Sequence, residues 1–294
     1  MSQYDIKQNT LDFHPQADKI KKAYKDAKKN RAEKQKEILE ELKISPTSDI
    51  VPRPLIYFLP TGNADFDQCT DALTPHKDPT YGTSGGGLAV GKVTIISGRS
   101  GVGKSQFAYN LCKNAPFRTL YIDTEGGIVD EQCDNVVVYN TEILEQCWKV
   151  TMAAIDTGKF NCIVIDSLTN LKTREDMQQD EGEMPRMGQR AQVMNSFLTR
   201  LTAKLMYNDV AIIVISQERQ SFDLFKRDPV LPGGDSLLYA TSMILGLLSN
   251  KSDEIKDKAT GLKIGQKTRV KIRKNRYGSD NCEFACKLMF RKGQ

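Results

Sequence analysis

The stretch GRSGVGKS, residues 98–105, lies between the apolar run VTIIS and the helix-forming run QFAYNLCKN. It fits G-x-x-x-x-G-K-[ST] in the strand–loop–helix setting that gives the pattern its meaning. Gly98, Gly101 and Gly103, with Arg99, Ser100 and Val102 between them, supply a loop whose backbone N–H groups can curl around a phosphate. Lys104 then reaches for the β- and γ-phosphates, and the Ser105 hydroxyl suits Mg2+. Gln106 continues the helix, whose N-terminus favours an anion. These residues read as a nucleoside triphosphate site, with ATP and Mg2+ as the expected ligands.

Outward from this loop, short apolar runs alternate with helical segments. KVTIISG (92–98), TLYIDT (119–124), NVVVYN (135–140), CIVID (162–166) and VAIIVIS (210–216) are continuous apolar runs of strand length. Such runs mark strands buried on both faces, and the helices between most of them predict a mainly parallel sheet in an α/β fold. SMILGLL, and TRVKIRKN with CEFACKLMF, read as hairpin-like strands extending one edge. Residues 75–87 and 249–267 read as polar surface excursions.

Three strand ends carry further chemistry. CIVIDS delivers Asp166, placed to hold the Mg2+ shell beside the loop. TLYIDTEGG delivers Glu125 to the carboxyl edge of the sheet, where it is either the group that activates water or an ordinary loop acid. AIIVISQ delivers Gln217, whose amide could sense a γ-phosphate.

The 294 residues, 39% of them hydrophobic, suffice for one large α/β core with a small appendage. A net charge of +5 is compatible with nucleic acid without requiring it. Seven cysteines without metal-type spacing and only two histidines argue against a zinc site or a disulfide framework, and for a reducing compartment. The N-terminus MSQYDIKQNT has no apolar signal region and no apolar run is long enough to span a membrane, so a cytoplasmic location is expected. Residues 1–45 form a basic segment with a charged helix at 18–44, read as a solvated helix, a nucleic-acid arm or a strut on a neighbouring subunit. Residues 46–58 read as a proline-rich linker, and 59–294 as the core.

Taken in order, these segments resemble the RecA/Rad51 recombinase core, phage T4-type strand-exchange proteins included. The resemblance rests on LPTGNADFDQCTDAL (59–73), GGLAVGKVTIISG (86–98), YIDTEGG (121–127), IVIDSLTNL (163–171), MGQRAQVMNSFLTRLTAKL (187–205), VISQ (214–217) and PGGDSLLYATSMIL (232–245). It implies a RecA-like P-loop ATPase fold acting on single-stranded DNA and a homologous duplex as a homo-oligomeric filament. Glu125 would activate water, and Gln217 would couple the γ-phosphate to the following loop. A first DNA loop would lie within 172–190, with Arg186, Met187 and Arg190 as contacts, although its several acids repel phosphate. A second would lie within 218–231. There Arg219, Lys226 and Arg227 supply charge for phosphates while Phe222 and Phe225 can stack on bases; a lid over nucleotide is the competing reading.

IRKNRYG (272–278) reads as a late strand on which alternation puts Lys274 and Arg276 on one face and Asn275 on the other. In the resemblance these two cations match a Lys-x-Lys pair that reaches a neighbour's ATP, with Arg in the second place. A DnaB-type hexameric helicase core shares the phosphate loop, the Asp-ending strand and the late cations, and is the rival reading. A RecA-like accessory ATP-binding protein is the third.

Overall fold

The structure is a computed structural model describing residues 33, 58–72, 86–128, 133–178, 188–218, 234–250, 253–277 and 282–289. The basic segment 1–45 and the linker 46–58 lie outside these residues except for Glu33 and Phe58. A two-stranded antiparallel pair, β1 (Phe58–Leu59) and β2 (Leu88–Ala89), flanks helix α1 (Ala64–Ala72). The main sheet takes β3 (Val93–Gly98), β4 (Thr119–Asp123), β5 (Val136–Asn140), β6 (Cys162–Asp166), β7 (Ala211–Gln217) and β8 (Thr241–Leu248). It is completed by β9 (Glu254–Lys256), β10 (Lys263–Asn275) and β11 (Glu283–Met289). The helices are α2 (Lys104–Lys113), α3 (Leu144–Thr157), α4 (Arg174–Gln178), α5 (Gln189–Leu205) and α6 (Gly234–Ala240).

Strand order is β11-β10-β8-β3-β7-β6-β4-β5, with β9 alongside β10. Every pairing from β8 to β5 is parallel, and those of β10 with β8, β9 and β11 are antiparallel. Both faces of the inner parallel strands are covered, which is why they read as unbroken apolar runs; the edge strand β5 reads the same way although only Val136 in it is buried. On one face Ile96, Ile213 and Leu245 pack with Phe107 and Leu111 of α2, Phe66 of α1 and Leu288 of β11. On the other, Ile95, Ile212 and Val214 pack with Leu144 and Ile155 of α3, Phe197 and Leu201 of α5, and Leu237 of α6. Burial of each such side chain contributes about 1.5–3 kcal/mol. After β3 the chain crosses to the β4 side, and after β7 it returns to β8 on the other, so the end of β3 lies at a switch point where a ligand crevice opens.

Three expectations change. SMILGLL pairs antiparallel with β10 as expected, but it is more than an edge extension: α6 carries the chain back, and on its other side β8 runs parallel to β3 inside the sheet. Residues 249–267 are not only a surface excursion, because they contain β9 and the first residues of β10. Those strands keep a solvated face, so they lack the continuous apolar run that marked the others. Finally, Cys69 of α1 and Cys282, which precedes β11, form a disulfide, contrary to the expectation that all seven cysteines are reduced. The pair is 213 residues apart in sequence and meets because α1 packs on β11, where Phe66 also meets Phe284 edge-on. No spacing rule reaches across such a separation. Among the described residues, no helix is long and apolar enough to cross a membrane.

Candidate active site

The phosphate loop leaves the end of β3 and enters α2 at Lys104. Gly103, the residue before the helix, is left-handed with φ 85°, and a Cβ there would come within 2.5 Å of Leu288 Cδ1. The left-handed conformation favours glycine there, and a side chain would in addition have to displace the end of Leu288. The antiparallel extension holds the outside of the loop: Gln266 Nε2 donates to the Gly101 carbonyl at 3.4 Å, and Thr268 Oγ1 to that of Val102 at 3.3 Å. Beside Gly101 there is open space, since a Cβ there would meet nothing within 4 Å beyond its chain neighbours. Arg99, Ser100 and Gly101 are exposed and Val102 is buried. Lys104 Nζ donates to the Arg99 carbonyl at 2.9 Å, folded over the loop. Burial pushes its ammonium below the ordinary lysine value, opposed by the carboxylates of Asp166, Glu125 and Glu218. Gln106 bonds Asn110 within α2.

Asp166 ends β6, buried, in register with Asp123 of β4. Desolvation raises its carboxyl above the ordinary range; hydrogen bonds from Ser105 and Tyr121 oppose the rise, and the neighbouring Glu125 and Asp123 add to it. The Tyr121 hydroxyl donates to Asp166 Oδ2 at 2.7 Å. A hydroxyl and a carboxylate side by side form a hard oxygen set that suits Mg2+, and a cation would offset the cost of the buried charge. Ser105 and Asp166 therefore fit the expected metal.

Glu125 is exposed, two residues beyond the end of β4 and within the turn that follows it. Asp123 builds that turn by accepting the amides of Glu125, Gly126 and Ile128 at 3.0, 2.9 and 2.9 Å. Glu125 Oε1 accepts from Asn170 Nδ2 at 2.6 Å and from Ser167 Oγ at 3.4 Å. Thr124 staples the two strand ends, accepting the Ser167 amide at 2.8 Å and donating its own amide to the Asp166 carbonyl at 2.7 Å. Gln217, exposed, is the register partner of Gly98 on the adjacent strand. One sheet edge thus gathers the loop, Asp166, Glu125 and Gln217.

Lys274 and Arg276 are elsewhere. Antiparallel pairing sets Asn275 opposite Met243 and the Arg276 amide on the Ser242 carbonyl, at the starts of the parallel strands. Lys274 Nζ donates to the Leu238 carbonyl and Arg276 Nη2 to that of Tyr239, both at 2.8 Å, so the two side chains do share the α6 side. Arg276 lines a cavity of about 420 Å³ with Lys92, Thr199, Thr202 and Tyr239. The cavity lies at the opposite end of the sheet from the phosphate loop.

Of the residues expected to contact nucleic acid, Arg190 is described. Its Nη2 donates to the Leu168 and Thr169 carbonyls at 3.1 and 2.5 Å, tying α5 to the segment after β6. Arg186, Met187, Arg219, Phe222, Phe225, Lys226 and Arg227 lie outside the described residues. Sequence reading missed Tyr121, Asn170, Gln266 and Thr268. Asn170 lies four residues after Asp166 and was visible only as part of SLTN; the others carry no motif signal.

Residues 79–294 match the family model described as the RecA N-terminal domain. Protein RecA of Acidothermus cellulolyticus is 28% identical over 205 residues, covering 66% of this chain and 58% of its own. That of Aquifex pyrophilus is 24% identical over 229 residues, with 74% and 61% covered. That of Frankia alni is 27% identical over 235 residues, with 76% and 63% covered. The chain therefore spans less than two thirds of the length of each of these relatives.

Proposed function

The chain belongs to the RecA N-terminal domain family, a recombination and DNA-repair family, and from that membership we propose that it is a DNA-dependent ATPase. In this reading it assembles with ATP into filaments on single-stranded DNA and promotes pairing and strand exchange with a homologous duplex. The observation that carries the reading is the division of the site: the loop, Asp166, Glu125 and Gln217 share one sheet edge, while Lys274 and Arg276 lie at the opposite end. Cations so placed are remote from their own loop, and would reach the nucleotide of an adjacent copy by exchanging the Leu238 and Tyr239 carbonyls for phosphate.

In the proposed turnover, the loop amides and Lys104 bind the phosphates and orient the terminal one. Mg2+, held by Ser105 and Asp166, supplies charge neutralisation when bound. Glu125, steadied by Asn170, takes the proton of the attacking water. Gln217 reports the γ-phosphate to the chain that follows it, so that ATP favours the DNA-competent state and its loss favours release. A neighbour's Lys274 and Arg276 stabilise the transferring phosphoryl group.

The test is ATP turnover with and without single-stranded DNA. Stimulation of tenfold or more is expected, with nucleotide binding abolished by Lys104→Ala. Turnover indifferent to DNA, or unwinding of a forked duplex by a hexamer, would contradict the reading.

A further inference from the structure

An ion pair outside the phosphate machinery holds the end of β7 to β10. Glu218, the residue after Gln217, accepts a hydrogen bond at Oε1 from Arg273 Nη1. The Glu218 side chain is 8% exposed and that of Arg273 25%, so the pair is largely shielded from solvent and salt. The Glu218 amide also donates to the Gly98 carbonyl at 3.1 Å. The first glycine of the phosphate loop and a side chain from β10 therefore grip one residue from two directions.

The sheet is shaped to let Arg273 reach that far. The register of β10 on β8 slips between Ile272 and Lys274, leaving Arg273 as the extra residue of a bulge. Its side chain crosses Gly246, where an added Cβ would fall 2.2 Å from Arg273 Nε. Gly246, Ser97 and Ser216 are register partners across β8, β3 and β7. By alternation they face the same side as Ile244, Ile95 and Val214, all members of the core under α3, α5 and α6. Three small residues in a row thus make a shallow trough from β10 toward the base of Glu218. The Ser216 hydroxyl in that row is buried with no hydrogen-bond partner.

The pair also lies in the field of the nucleotide site, since Glu218 is one of the three carboxylates acting on the Lys104 ammonium. A carboxylate there opposes a polyanion unless a cation answers it, and removing Arg273 would leave it shielded and unpaired. Arg273 is moreover the immediate neighbour of Lys274 on one strand, and Glu218 of Gln217 at the end of another.

We propose that Arg273 is a positioning residue for Gln217. The Arg273–Glu218 pair locks the γ-phosphate sensor to the strand that offers Lys274 and Arg276 to the adjacent copy, so that neighbouring nucleotide sites change state together. The inference rests on the roles proposed above for Gln217, Lys274 and Arg276. Its functional consequence is cooperative ATP turnover along the assembly.

The test measures DNA-stimulated turnover against ATP concentration for the wild type, Glu218→Gln, Arg273→Ala and the double variant. Binding of a fluorescent ATP analogue without DNA and Tm are followed in parallel. Each single variant should lose tenfold or more in kcat and lower the Hill coefficient toward 1, with analogue affinity within threefold of wild type. The double variant should be no worse than the poorer single. Glu218→Gln keeps the shape of the side chain, so it carries the test if Arg273→Ala does not fold. Single variants with wild-type kcat and Hill coefficient, additive losses in the double, or a loss of analogue binding that matches the loss of kcat would overturn the proposal. A wild type without DNA stimulation would overturn the functional reading with it, whereas a stimulated wild type with unimpaired variants removes this inference alone.

Discussion

Glu125 and Asp166 are carboxylates on neighbouring strand ends in opposite surroundings, one exposed and held by Asn170, the other buried beside Ser105 and Tyr121. The exposed one suits proton transfer with water, so Glu125→Gln should keep ATP affinity while turnover falls about 100-fold or more. Fast turnover in that variant would remove the assignment. The buried one has a stability consequence. Unfolded, the Asp166 carboxyl titrates near its ordinary value of 3.8; folded, burial makes it hold the proton to higher pH. Stability is therefore lost as pH rises from the unfolded value through the higher folded one, and the cost is fully present above that. Asp166→Asn should raise the Tm of nucleotide-free, EDTA-treated protein at pH 7.5 by a few degrees, and the gain should vanish in acid; an unchanged or lower Tm at pH 7.5 would refute this. At this scale the sequence was legible where a residue ended a strand, as Asp166 and Gln217 do, or followed one closely, as Glu125 does. Asn170 was not, because its partner lies 45 residues away and an interaction across two strand ends leaves no periodicity.

The parallel strands could be read almost to the residue, because burial on both faces leaves continuous apolar runs such as CIVID. β10 was only half legible: its exposed alternate positions resemble a polar loop until the partner strands are known. That strand nevertheless organises much of the site. Its Gln266 and Thr268 hold the phosphate loop, its bulge frees Arg273, and its end carries Lys274. If the end of β10 serves an adjacent copy, Lys274→Ala and Arg276→Ala should each lower assembly-dependent turnover by up to about a thousandfold. The isolated subunit should still bind ATP with unchanged affinity. Full activity in both variants would return the strand to a structural role, in which the two cations only cap the carbonyls of α6.

For the whole molecule, the order of segments was more informative than any one of them, and the match over residues 79–294 agrees with it. Partner surfaces were less legible, since their chemistry depends on a second molecule. The proposed DNA-binding role of Lys226 and Arg227 can be tested by salt dependence. Replacing both with alanine should flatten the slope of log affinity against log salt for single-stranded DNA by about 0.7 for each phosphate no longer neutralised. An unchanged slope would move DNA binding elsewhere on the surface. The central claim, that ATP assembles this chain along single-stranded DNA, is tested most directly by negative-stain electron microscopy of the protein with both ligands and with each omitted. The account predicts filaments whose length follows the DNA and which disappear without ATP; closed rings or single particles with both ligands present would contradict it.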